Sequence, residues 1–288
     1  MKMMCLVIET FRRIGGSELD LRGSGERSRL KIAPTICQAI VATIAWFASI
    51  SVISATVAAA EPLPTREAAR KLFEDQPRKL ERVRTAADAL AEIANANPKD
   101  YDDQWHAARA WCWLADYGAD DKEKVAAANR AIEFAERAIA LNERRVEGHY
   151  FRGRAIGMLA DIERGMKALG RVKEMAKSLE RAIQLNEKFD EAGPRRLLGL
   201  LLLHTPGWPI SIGDKKAADG HIRRATELAP EYPENQTALA QLLFVQKDKA
   251  GARAALQKAL DAPPWETKQD EDANWKESAR RILKENEK

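Results

Sequence analysis

The sequence predicts an all-α fold, a helical-repeat solenoid of about five stacked helix pairs plus a C-terminal capping helix, and three observations carry that reading. First, one helix ending recurs: Ala259-Leu-Asp-Ala-Pro-Pro264 is matched by Ala225-Thr-Glu-Leu-Ala-Pro230, Ala182-Ile-Gln-Leu-Asn-Glu187 and Ala138-Ile-Ala-Leu-Asn-Glu143, with a weaker copy at Ile93-Ala-Asn-Ala-Asn-Pro98. The spacings are 45, 44, 43 and 34, so the inner units carry extra residues, which a stacked array tolerates in its loops or as a longer helix. Second, four of the helices that lead into these endings carry small or apolar residues at i, i+4, i+7. They are Ala131, Ala135 and Ala138; Met175, Leu179 and Ala182; Ala218, Ile222 and Ala225; and Ala252, Leu256 and Ala259. Third, the preceding helices share an equivalent pair whose second member is small: Ala107-Ala108, Arg152-Gly153, Leu198-Gly199 and Leu239-Ala240. A small residue at a fixed place in each pair is what close helix approach requires.

Taken in order, Thr65 is placed to cap a first helix through Phe73, and Pro77 to open a second that runs to Pro98. This opening unit departs most from the pattern, as a terminal repeat does. Helices follow at 101–114 and 122–141, then at 146–160 and 167–185, then at 195–204 and 215–228. Between the last two lies Thr205-Pro-Gly-Trp-Pro-Ile-Ser-Ile-Gly-Asp214, where two prolines and two glycines forbid a helix and leave Trp208 without a packing role. The fifth pair fills 233–264, broken at Gln246, Lys247 and Asp248 and ended by Pro264. A closing helix at 270–286 turns Trp275 and Ile282 inward and a charged face outward. The units are therefore 65–100, 101–145, 146–189, 190–232 and 233–266.

Of the net charge of +4, residues 1–60 supply seven Lys and Arg against four Asp and Glu, so the remainder is close to neutral. That balance offers no electrostatic footprint for nucleic acid. Residues 32–60 carry no charge, follow Arg27, Arg29 and Lys31, and close on Ala58-Ala59-Ala60 before Glu61-Pro-Leu-Pro64. Basic flank, apolar centre and small-residue exit are the parts of a secretory signal cleaved after Ala60, which would place the protein in the periplasm or cell envelope. The competing reading is a retained membrane anchor, since the run is long enough to span a bilayer. Residues 1–30 form an overlong leader, and no cysteine stands at the cleavage point for lipid attachment. Beyond residue 60 the sole cysteine is Cys112, between Trp111 and Trp113, which reads as a small packed residue.

The helix pairs resemble the tetratricopeptide repeat, whose unit is about 34 residues. In that family the first helix of each unit lines a concave surface, and carrying its positions over yields a short set of groove residues. The second unit presents Trp105, Arg109 and Trp113, the third Tyr150, Arg154 and Met158, the fourth Arg196, Leu200 and His204, and the fifth Thr237, Gln241 and Val245. An aromatic stripe alone would be core, but guanidinium groups beside Trp and Tyr suit a carboxylate-bearing ligand. Two readings stand: a partner-binding groove built on Trp105, Arg109, Trp113, Tyr150, Arg154, Arg196, His204 and Gln241, with Trp208 on its loop, or a ladder of no special role in which Arg109 pairs with Asp102 or a glutamate of a neighbouring helix. His106, His149, His204 and His221 fall in different units without metal-ligand spacing, so neither metal nor cofactor is expected. No nucleophile elbow, phosphate-cradling glycine loop or zinc-protease motif is present, and the expectation is a non-enzymatic protein.

Three segments narrow the resemblance: Val146-Glu-Gly-His-Tyr150, the run from Ala168 to Glu174, and Pro206-Gly-Trp-Pro-Ile-Ser-Ile-Gly-Asp-Lys-Lys216. With the long inner units they resemble the T component of tripartite ATP-independent periplasmic (TRAP) transporters across residues 65–262. The resemblance implies an exported accessory protein of solute uptake, with a periplasmic solute-binding subunit as partner, a small organic acid or hydrophobic ligand, and a homo-oligomeric state. The chain departs from that family in lacking a lipid-attachment cysteine and in having Ala192 before Gly193-Pro194, where a second glycine is common. The alternative is a cell-envelope interaction scaffold with no part in transport.

Overall fold

The computed structural model describes residues 64–163 and 165–286, and among them eleven α-helices follow one another without a strand. They are α1 (Arg66–Glu74), α2 (Leu80–Ala96), α3 (Tyr101–Tyr117), α4 (Asp121–Leu141), α5 (Val146–Glu163), α6 (Gly165–Asn186), α7 (Phe189–His204), α8 (Lys215–Leu228), α9 (Pro233–Val245), α10 (Lys249–Asp261) and α11 (Gln269–Glu285). Consecutive helices pack as antiparallel pairs, α1 with α2 through α9 with α10, and the first helices of neighbouring units touch in the order α3, α5, α7, α9. This is the predicted five-pair solenoid with its closing helix. The leader and the signal or anchor segment lie outside the described residues, among which no helix is long and apolar enough to cross a membrane.

Helix starts follow local chemistry. Thr65, Asp100, Asp120, Asp214 and Asp248 each accept a hydrogen bond from a backbone N–H of the first turn they precede, at 2.8 to 3.2 Å. The repeated stripes are the seam of the stack: Ala131, Ala135, Ala138, Leu179, Ala182, Ala218, Ile222, Ala225, Ala252 and Leu256 are all fully buried. Each large member, such as Leu179 or Leu256, contributes about 1.5–3 kcal/mol by leaving water. The small residue of each opening helix lets its partner come close. A Cβ at Gly153 would lie 3.0 Å from Leu179 Cδ2, and one at Gly199 only 2.6 Å from Ile222 Cγ1. Ala108 and Ala240 fill the same place, both at zero exposure. Cys112 is buried, with its Sγ 3.4 Å from the Phe151 carbonyl oxygen.

Two boundaries differ from expectation for physical reasons. The second helix begins at Leu80 and not at Pro77, because residues 76–79 turn toward the other end of the chain: the Arg78 N–H donates to Asp270 and its Nε to the Phe73 carbonyl. In α7 the helix begins at Phe189, six residues before the expected start, through three consecutive left-handed residues, Asp190, Glu191 and Ala192, with φ of 49°, 54° and 61°. The closing helix packs Trp275, Ala279 and Ile282 against α9 and α10 as expected, each below 5% exposure. Its first turn does something further, and that contact organises the site.

Candidate functional site on the inner wall

The first helices bring the predicted groove residues onto one wall. On α3, Trp105 is half-buried, stacks on His106 with ring centroids 3.7 Å apart and donates from Nε1 to Asp102 at 2.9 Å. Arg109 lies over the Phe73 ring and pairs with Glu74 of α1. A neighbouring-helix glutamate is thus its partner, while Asp102 is taken by Trp105 and Arg145. On α5, Arg154 reaches back to Asp116 of α3 at 2.6 Å, and the buried Tyr150 hydroxyl donates to Asp190. On α7, Arg196 is 3% exposed, pairs with Glu234 at 3.0 Å, donates to Asn235 Oδ1 at 2.9 Å and covers the Tyr232 ring. His204 meets Gln241 of α9 at 2.8 Å, joining the predicted residues of units four and five. Met158, Leu200 and Thr237 are buried, and Thr237 Oγ1 donates to the Pro233 carbonyl of its own helix.

Every arginine of the predicted groove is therefore engaged by a carboxylate of the same chain. The wall carries a lattice of ion pairs that joins successive units. Trp208 stands apart from it, 90% exposed on the loop after α7.

A short segment at the start of α11 lies across this wall. Trp113 donates from Nε1 to Asp270 Oδ2 at 3.0 Å. Arg78, with its side chain 2% exposed, donates from Nη1 to Asp270 at 3.3 Å and to Glu271 at 3.0 Å, and from Nη2 to the Thr267 carbonyl. The Gln269 N–H donates to Gln76 Oε1 at 3.0 Å. Lys268 donates to Asp190 at 2.7 Å and to the Tyr232 hydroxyl at 3.0 Å. Residues 267–271 thus touch units one, two and four and draw the two ends of the solenoid together.

The electrostatics agree with that geometry. Burial works to raise the Asp190 carboxyl, yet Lys268, Arg154 and Arg196 outweigh it and hold it well below the usual carboxylate range. Glu234 is also lowered, burial being overcome chiefly by Arg196. Glu271 is raised by burial, against Lys268, Arg154 and Arg78. This arrangement can hold a carboxylate and an ammonium side by side. Burial pushes the Cys112 thiol up to about 12, which suits a packed residue and not a nucleophile. Among the described residues no group of His, Cys, Asp or Glu is arranged to hold a metal ion.

Several residues of the lattice escaped the sequence reading: Arg78, Asp116, Asp190, Tyr232, Glu234, Lys268, Asp270 and Glu271. Asp116 could have been found, since it continues the α3 stripe three residues beyond Trp113. Asp190 sits in a left-handed turn with no periodicity, and the residues from 268 to 271 follow Pro263-Pro264 in what read as an end cap.

Comparison with known proteins places this geometry. Residues 66–193, from α1 into the first turns of α7, match the sequence profile of the family described as regulator of microtubule dynamics protein 1-3. No curated protein matches the chain. Among solved structures, a thermophilic tetratricopeptide-repeat protein of Thermus thermophilus, TTC0263, is 21% identical over 71% of this chain and 92% of its own, with a TM-score of 0.53. MamA is 18% identical over 63% and 89%, with a TM-score of 0.44. YrrB, a tetratricopeptide-repeat protein with an unusual peptide-binding site, is 20% identical over 68% and 99%, with a TM-score of 0.29. With the helix pairing described above, the likeness to the Thermus protein shows the fold of this chain: an all-α solenoid of the tetratricopeptide type.

Proposed function

We propose that this protein is an exported, non-enzymatic binding or adaptor protein whose inner wall holds a short segment of a partner protein. The observation that carries the reading is the wall's present occupant. Residues 267–271 lie on it through an ammonium, two carboxylates and a main-chain carbonyl, each met by a side chain of the wall. A partner segment with a lysine followed two and three residues later by acids would reproduce those contacts.

The test uses the full chain carrying Lys268→Ala, Asp270→Ala and Glu271→Ala together, and a fluorescently labelled peptide of sequence 263–286 as probe. Anisotropy should report peptide binding to the variant and little to the parent chain, whose own segment competes at high effective concentration. Trp113→Phe with Tyr232→Phe, added to the variant, removes two of the groups that meet the segment and should weaken that binding while leaving the helical circular-dichroism signal intact. Absence of peptide binding to the triple variant would remove the wall from the account.

The narrower reading, an accessory partner of a TRAP-type uptake system, is favoured by the segments at 146–150, 168–174 and 206–216. It predicts a solute-binding subunit that co-purifies with this chain and genes for a receptor and permease beside its own. With neither found, the general cell-envelope scaffold stands in its place.

A further inference from the structure

The loop between α7 and α8 is built to a fixed shape. The Gly213 N–H donates to the Pro206 carbonyl at 2.9 Å, the Asp214 N–H to the Leu202 carbonyl at 3.0 Å, and the Ile210 and Ser211 N–H groups both to the Gly207 carbonyl. Gly207 and Gly213 form a bridge, and a Cβ at Gly213 would lie 2.0 Å from the Thr205 carbonyl oxygen, so that position admits no other residue in this shape. At the tip of this pinned loop stand Trp208 at 90% exposure and Ile210 at 68%, the two most exposed large apolar side chains among the described residues.

Their surroundings are consistent. The His204–Gln241 hydrogen bond joins the ends of α7 and α9, so the loop leaves the stack beside Val245, itself 39% exposed one turn beyond Gln241. Gln246 reaches Asp219 and Arg223 of α8, which sets the α9–α10 turn against the first turns of α8. The lysines of these two turns, Lys215, Lys216, Lys247 and Lys249, are all exposed and enter no ion pair among those of the described residues. The acids nearby are otherwise engaged. Asp214 and Asp248 accept from the backbone N–H groups of their own helices, and Asp219 is held by Arg223 and Gln246.

We infer that this edge docks on an anionic lipid bilayer, with Trp208 and Ile210 entering the boundary between headgroups and acyl chains and the four lysines lying over the headgroups. A Trp held on a projecting loop, with exposed unpaired lysines on the adjoining turns, matches that interface, where indole rings concentrate and basic side chains meet diffuse negative charge. The near-neutral total for residues 61–288 hides a modest local excess: Lys215, Lys216, Lys247, Lys249 and Arg223 stand at this edge against Asp214, Asp219 and Asp248. The uncharged run at 32–60 would, as signal or as anchor, bring the chain to or across a bilayer.

The full chain and its Trp208→Phe variant are added to preformed vesicles of phosphatidylcholine alone, or mixed with phosphatidylglycerol, in which the acyl chains carry bromine. Subtracting the variant's fluorescence isolates Trp208, because the other six tryptophans are common to both. The inference expects the Trp208 component to be quenched on the anionic vesicles, several-fold less on the neutral ones, and less again in high salt. Lys215→Glu with Lys247→Glu should abolish the difference between the two compositions, and Trp208→Ala with Ile210→Ala should lower vesicle affinity by about tenfold or more. Both sites are exposed, so these variants fold as the parent does. An unquenched Trp208 component on both vesicle types overturns the proposal. So does a concentration-dependent dimer that Trp208→Ala dissolves, which would give the prong to a second copy of the chain.

Discussion

Replacing Arg78 by methionine tests the closure of the solenoid most directly. The Arg78 side chain is 2% exposed and pairs with both Asp270 at 11% and Glu271 at 9%, so its loss leaves two largely buried carboxylates without the cation that pairs with both. Breaking a buried pair from one side costs about 3–5 kcal/mol, far more than the pair contributes when both partners are replaced. At about 2–4 °C per kcal/mol for a unit of this size, the melting temperature should fall by on the order of 10 °C. Lys71→Met is the control, because Lys71 pairs with Asp75 at 74% and 43% exposure, where a loss below about 0.5 kcal/mol is expected. Adding Asp270→Asn to Arg78→Met should recover part of the loss, with a coupling of about 1–3 kcal/mol. Urea unfolding followed by far-ultraviolet circular dichroism measures these differences, and hydrogen exchange shows where they fall. Protection should drop together in α1 and in the first turn of α11, although the two lie at opposite ends of the chain. If Arg78→Met costs no more than Lys71→Met, or if exchange rises at one end only, the reasoning about ring closure is wrong.

Three further outcomes can be measured in the same way. Gly199→Ala should destabilise by about 1–3 kcal/mol because its Cβ would meet Ile222, whereas Gly220→Ala, on a helix face with nothing within 4 Å, should stabilise by up to about 1 kcal/mol. Leu179→Ala, at zero exposure beneath Gly153, should cost about 2–5 kcal/mol through the cavity it leaves. Burial first, then Arg70 and Arg109, depress the His106 imidazole from 6.5 to about 3. The unfolded chain therefore binds this proton at a higher pH than the folded one, and stability should fall as the pH drops from 6.5 towards 3, by at most about 1.4 kcal/mol per pH unit for this group. His106→Phe, which keeps an aromatic ring against Trp105, should flatten that slope; an unchanged slope would assign it to other groups.

The helix pairs were legible because their information is local. A residue at i meets those at i+4 and i+7 whatever the rest of the chain does, so the stripe through Leu179 and Ala182 or through Leu256 and Ala259 announces a buried face, and Gly153 or Gly199 opposite announces close approach. The groove residues were legible only in part. Their placement on one wall follows from helical period, but the partner of each charge does not. Asp116 for Arg154 and Glu234 for Arg196 lie 38 residues away in sequence, and Arg78 meets Asp270 and Glu271 across 192 and 193. The small rotation from each unit to the next accumulates into the curvature that brings the start of the closing helix back to the first unit, and no window of sequence contains that sum. Sequence alone thus determined that the chain forms stacked helix pairs with a shared inner wall. Only the tertiary structure decided that the wall is already paired charge for charge, spanned by the chain's own residues 267–271, and that Trp208 is left in solvent, because those outcomes depend on distances closed by the whole curve of the stack.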